Sequence, residues 1–254
     1  MSRVYQSAVL AGALLSAVAG AHAQSAPAEP QDSLTYNVGA VTEYRYRGIS
    51  QSGKKPAAQF GVDFVSKSGF YVGAWGSTIT WIRDSTKPST TKGPLEVDIY
   101  GGYKGAINDS LSYDVGALQY WYTGNNLGKT KGFADANTLE AYAALTSGIF
   151  TAKYSYSLTN LFGTPNSKGS GYLDLSATID LGNGMSLVPH IGHQNVKKTV
   201  SYSDYGLTLA KDIDGLVLSA ALIGTSKKNF FTLPGSGGKD LGGTTLVLGV
   251  KKNF

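Results

Sequence analysis

The chain contains no cysteine, so neither a disulfide framework nor thiolate chemistry is available to it. Charge is scarce: Asp, Glu, Lys and Arg make up 15% of its 254 residues, against roughly 25% in ordinary soluble domains. Three histidines leave little material for a metal centre. Long apolar runs are missing as well. Beyond the N-terminal segment none approaches the roughly 18 residues of a membrane helix. No stretch carries a 3.6-residue apolar period with caps, so helical architectures are set aside. What the chain has in abundance is glycine (33) and tyrosine (16).

The start, MSRVYQSAVLAGALLSAVAGAHAQ, reads as a secretory signal peptide. Arg3 supplies the positive charge, Ala8 to Ala21 the apolar stretch, and Ala21-His22-Ala23 the small-residue cleavage site. The expected organisation is a signal peptide over 1–23, a flexible lead over 24–32 and a single domain over 33–254.

From residue 33 onward the apolar period is two. Leu34, Tyr36, Val38 and Ala40 share a face that continues in register through Thr42, Tyr44 and Tyr46, opposite Thr35, Asn37, Glu43 and Arg45. Leu173, Leu175, Ala177, Ile179 and Leu181 alternate with Asp174, Ser176, Thr178 and Asp180. The pattern predicts twelve strands: 33–47, 56–66, 70–82, 95–106, 111–122, 137–147, 149–160, 171–181, 185–194, 204–212, 215–226 and 242–254. Short connections, such as Gly182-Asn183-Gly184, alternate strictly with long ones.

A soluble β-sandwich has one apolar face per strand but no need for that alternation. A transmembrane β-barrel of a Gram-negative outer membrane requires it, with short periplasmic turns and long external loops. Such a sheet must also close, because an open edge in lipid leaves backbone groups unsatisfied. The all-β single antiparallel barrel is therefore the predicted fold. Phe254, at the end of an alternating apolar strand, is expected to close it and to serve as the signal read by the barrel-insertion machinery. Lys252 departs from the apolar residue usual near such a terminus. Aromatic rings fall into two groups on the apolar faces. Phe64, Phe70, Tyr103, Tyr113, Phe150 and Phe254 lie near the short turns, and Tyr44, Tyr46, Trp121, Tyr154, Tyr156 and Tyr205 near the long loops.

The stretches EYRYRGISQS and GFYVGAWGS, together with LEVDIYGGY, LEAYAAL and YGLTLAKDIDGL, resemble the TorF family of outer-membrane porin-like proteins. The resemblance runs over most of the domain. It implies an outer-membrane location and a porin-like role, and it carries over no catalytic residue.

With the apolar face turned to lipid, the predicted pore lining is Glu43, Arg45, Arg47, Asp63, Glu96, Asp98, Asp114, Glu140, Lys153, Asp174, His190 and Lys251, joined by Lys104 and Asp180. Opposed acids and bases set up a transverse field that orients small polar solutes. Alternatively, the charges pair and close the interior. Glu43, Arg45 and Arg47, recurring at every second residue, are expected about 7 Å apart as a ladder near the outer mouth. Basic residues crowd the long loops, for example Lys54, Lys92, Lys131 and Lys198, with few acids (Asp84, Asp135, Asp204, Asp240) among them. They suit contact with lipopolysaccharide phosphates beside outer-membrane lipid. Nothing organises them to read nucleic acid.

Two stretches suggest chemistry. Gly124 to Thr130 has one residue too few for a phosphate loop and no helix to follow it. Ser176 is predicted to lie opposite His190 with Asp174 diagonal to it, a set that would suit a hydrolase. A lone lumen histidine with hydrogen-bonded neighbours is the plainer reading. His193 should face away from His190, so the two do not share a metal. No cofactor and no metal are expected, and the chain is read as a channel, not an enzyme.

Overall fold

The computed structural model describes residues 31–254 apart from Lys228. The signal peptide and nearly all of the predicted lead lie outside the described residues. Fifteen strands form among the described residues. They are β1 (Ser33–Val41), β2 (Arg45–Tyr46), β3 (Ile49–Ser50), β4 (Ala57–Val65), β5 (Phe70–Thr78), β6 (Leu95–Asn108), β7 (Leu111–Tyr122) and β8 (Thr138–Ser147). They continue with β9 (Phe150–Ser157), β10 (Gly171–Ala177), β11 (Ile179–Gly182), β12 (Met185–Asn195), β13 (Tyr202–Ile213), β14 (Leu216–Thr225) and β15 (Thr245–Asn253).

β10 and β11 are one strand interrupted at Thr178, and both pair with β12. Sequential antiparallel pairing runs around the wall, and β15 pairs with β1. The result is a closed antiparallel barrel of twelve wall strands, as the period-two reading required. Closure extends to the last residue: Phe254 donates its N–H to the Tyr36 carbonyl at 2.9 Å and accepts from the Tyr36 N–H at 3.2 Å. The Phe254 ring lies on the outer surface, 69% exposed.

Turn chemistry fixes the register at the short-turn end. Asn183-Gly184 and Asp214-Gly215 have positive φ at both positions, 52° and 72°, 51° and 82°. That is the two-residue turn whose twist matches a β-hairpin. The outer face is apolar, with Leu34, Val38, Phe60, Val72, Ile191, Leu207 and Leu248 all exposed. Phe64, Phe70 and Phe150 ring the short-turn end, while Trp121, Tyr154, Tyr156 and Tyr205 ring the long-loop end.

Two members of the predicted outer ring are misplaced. Strand β1 stops at Val41, not at residue 47, and Tyr44 is buried inside the barrel with Tyr46 beside it. Having left the wall, the chain reverses inside the lumen at Arg47 and Gly48, which adopt positive φ, 46° and 79°, and close a hairpin of β2 and β3. Period two carries on through this stretch, so the alternation gave no sign of the departure.

Candidate functional site

Loop 1, residues 42–56, is the centre of the site. It folds into the long-loop half of the lumen, where Glu43, Tyr44, Arg45, Arg47, Ser50 and Ser52 are all buried. The loop is locally self-consistent. The Tyr44 N–H donates to Ser52 Oγ at 3.0 Å, and the Gln51 N–H donates to the Tyr44 carbonyl at 2.8 Å. Neighbouring loops hold its base: the Ser50 N–H donates to the Leu241 carbonyl, and the Thr80 and Trp81 N–H groups donate to the Gln51 carbonyl.

The predicted ladder of Arg45 and Arg47 does not form. Arg45 turns back on its own loop, pairing with Glu43 at 3.0 Å and donating to the Gly48 carbonyl at 2.7 Å. Arg47 crosses the lumen. Its guanidinium donates twice to Glu140 on β8, at 2.7 and 3.0 Å, and once to Gln194 on β12 at 2.6 Å. It also lies over the Tyr172 ring of β10, 4.2 Å from the centroid. One side chain thus joins the loop to three wall strands. Burial works against the Arg47 charge, but the Glu140 carboxylate, together with Tyr46 and Tyr120, lifts the guanidinium pKa above its ordinary range. Bidentate pairing of this kind suits a planar guanidinium and not an ammonium.

Gly48 completes the fit. A Cβ there would come within 2.6 Å of Thr225 Cγ2 and 2.7 Å of Asp204 Cβ, so the hairpin turn sits directly against β13 and β14. Around this plug the rings of Tyr44, Tyr46, Trp75, Tyr120, Tyr122 and Phe162 pack the outer half of the lumen. The Tyr46 and Tyr120 hydroxyls share a hydrogen bond, and Tyr120 also donates to Glu140 at 3.2 Å.

The predicted lumen residues divide by height. Glu96, Asp98 and Glu140, with the loop residues, lie in the packed layer and are buried. Asp63, Asp114, Lys153, Asp174 and Lys251, with Lys104, are only half-buried and lie toward the short turns. There Tyr100 donates to Asp63, Tyr71 donates to Asp114 at 2.5 Å, and the Lys153 ammonium lies 4.0 Å from the Tyr142 ring centroid. Asp180 is exposed.

The register places Ser176 opposite His190, with Asp174 beside it, as expected. The bonding is not that of a nucleophile triad. His190 Nε2 faces Asp174 at 2.7 Å and the Tyr172 hydroxyl at 3.1 Å, while Nδ1 stands 3.7 Å from Asp204. No hydrogen bond joins Ser176 to His190 among the described residues. Asp204, expected among the loops, is fully buried in the lumen, where Tyr172 donates to it at 3.1 Å. His193 is exposed on the opposite face and bonds Ser203. Sequence reading missed Gln194, Tyr172 and Asp204. Their inward parity was visible, but only the path of loop 1 makes them its contacts.

A family model for a bacterial protein of unknown function, Gcw_chp, matches residues 24–254. The chain belongs to the Gcw_chp family. No curated protein matches it. Among solved structures it is similar to the KdgM porin, at 8% identity and a TM-score of 0.54, over 87% of this chain and 99% of that one. The same values of identity and TM-score relate it to the KdgM porin in complex with disordered oligogalacturonate, over 87% of this chain and 98% of that one. At such identity the likeness is one of fold: a porin-like barrel.

Proposed function

We propose that this Gcw_chp protein is an outer-membrane channel for small polar solutes, held closed by loop 1 until a solute or the membrane setting releases it. The observation that carries the reading is the lumen. Acids and bases line the inside of a barrel whose outside is apolar, and those toward the short turns are less buried than those around the plug. A dedicated structural barrel has no need of the half-buried charges Asp63, Lys104, Asp114, Lys153 and Lys251 at that mouth. Opposed charges keep a field gradient while largely cancelling its net value, which favours polar and zwitterionic solutes over one ion sign. That a porin of similar fold is found in complex with oligogalacturonate supports a polar solute.

In this reading the short turns face the periplasm, the basic loops face lipopolysaccharide outside, residues 1–23 direct export, and Phe254 is presented to the insertion machinery. The resemblance to the TorF family is part of the same proposal. No catalytic role is assigned, because His190 engages two carboxylates and a tyrosine and not Ser176.

The test is single-channel recording of the refolded chain in planar bilayers, with the Arg47→Ala variant beside the wild type. Rare openings of the wild type that become frequent in the variant are expected. A variant that is folded and inserted yet never conducts would leave a closed structural barrel.

A further inference from the structure

Glu96 and Asp98 lie two residues apart on β6, so both project into the lumen, and each is 1% exposed. Directly across the ladders, Ser77 and Tyr122 flank Glu96, while Trp75 and Tyr120 flank Asp98. Tyr44 descends from loop 1 to meet them. Its ring stands edge-on to Trp75, centroids 5.3 Å apart, and its hydroxyl donates to Glu96 at 2.9 Å. Burial, and then the charges of Glu96 and Asp98, push the Tyr44 hydroxyl well above its ordinary pKa, so it stays a proton donor. The pair of acids is walled by aromatic rings.

Charge accounting sets this pair apart. Of the other buried lumen carboxylates, Glu43 has Arg45, Glu140 has Arg47 and Asp204 has His190. Among the described residues, Asp98 has no hydrogen-bond partner on either oxygen, and Glu96 has none on Oε2. Ionising a buried carboxylate that has no partner is costly, and an arriving cation would supply the missing partner.

We propose that Glu96 and Asp98 are the seat for the cationic end, ammonium or guanidinium, of a solute. Two carboxylates supply the charge, and the rings of Tyr44, Trp75, Tyr120 and Tyr122 supply faces and edges suited to an organic cation. A hard divalent metal asks for six or more oxygen ligands, which two carboxylates and a hydroxyl do not provide. Among the described residues no group of three or more His, Asp or Glu side chains is arranged to hold a metal. Tyr44 is the lid: the incoming cation takes its place on Glu96, and loop 1 lifts with it. The site rests on the channel reading for its access, and binding is measured without conduction.

Trp75 lies in the wall of the site, and Trp81 reports from beside it, edge-on to Tyr122 at 5.3 Å. The experiment titrates the refolded full chain in detergent micelles with cadaverine and follows tryptophan fluorescence, in wild type and in Arg47→Ala. Pentanol, sodium propionate and calcium chloride, at matched ionic strength, are the controls. A saturable change with cadaverine alone is expected, at least about tenfold weaker in Glu96→Gln and Asp98→Asn. Cadaverine should also raise the temperature at which the folded wild-type band is lost on a gel, a reading that needs no variant. The proposal fails if neither wild type nor Arg47→Ala saturates, if folded carboxamide variants respond equally, or if calcium binds more tightly than the amine. Binding without conduction would sink the channel reading and leave the site; conduction without binding would do the reverse.

Discussion

Arg47→Ala is the sharpest perturbation the structure offers. The substitution removes both hydrogen bonds to Glu140, the bond to Gln194 and the cation over Tyr172, and leaves the Glu140 side chain, 2% exposed, without its cation. Removing one partner of a buried ion pair costs about 3–5 kcal/mol. In this barrel that cost falls on the plugged state alone, because lifting loop 1 lets water reach Glu140. At about 1.4 kcal/mol per decade, the closed-to-open ratio should fall by between about 10²-fold and several thousandfold. Single-channel recording reads this as open probability at fixed voltage. The double variant Arg47→Ala/Glu140→Ala supplies the check on cause: with the orphaned carboxylate gone, closure should return in part. If Arg47→Ala inserts normally and its open probability matches wild type, Arg47 is not the latch. If the double variant opens as readily as the single one, the stranded Glu140 charge is not the reason for opening.

Three further outcomes follow from particular contacts. Gly48→Ala forces a methyl group against Thr225 and Asp204 and into a backbone region L side chains avoid, so it should unseat the plug while sparing the wall; protease cutting within loop 1 of the purified barrel should rise sharply, and unchanged resistance would count against it. Asp98→Asn removes a buried ionisable group whose oxygens find no partner among the described residues and should raise stability at neutral pH by about 1–3 kcal/mol without ligand, seen as a higher temperature for loss of the folded gel band; a lower temperature would show that Asp98 has a partner in the protein. Phe254→Ala keeps the backbone bonds to Tyr36 and deletes only an exposed ring. Refolding in vitro should therefore be near normal while the yield of barrel in cells falls, and equal yields would remove the ring from any insertion signal.

The wall of this protein was legible because its determinants are local. Side chains alternate by strand geometry, Asn-Gly and Asp-Gly turns impose positive φ, and lipid tolerates no open edge, so residues 33–254 yield twelve strands and closure from pattern alone. The pairing of Ser176 with His190 followed from the same turn chemistry. The lumen was not legible in that way. Glu43, Arg45 and Arg47 keep perfect alternation, yet the chain has already left the wall at Val41, and the only local sign was the Arg47-Gly48 dipeptide. Arg47 meets Glu140 and Gln194 across 93 and 147 residues of chain, and no local preference encodes so distant a partner. Tertiary structure alone decided that Arg47 is matched and Asp98 is not, because burying a charge is tolerable only where its counter-charge lies within reach in space.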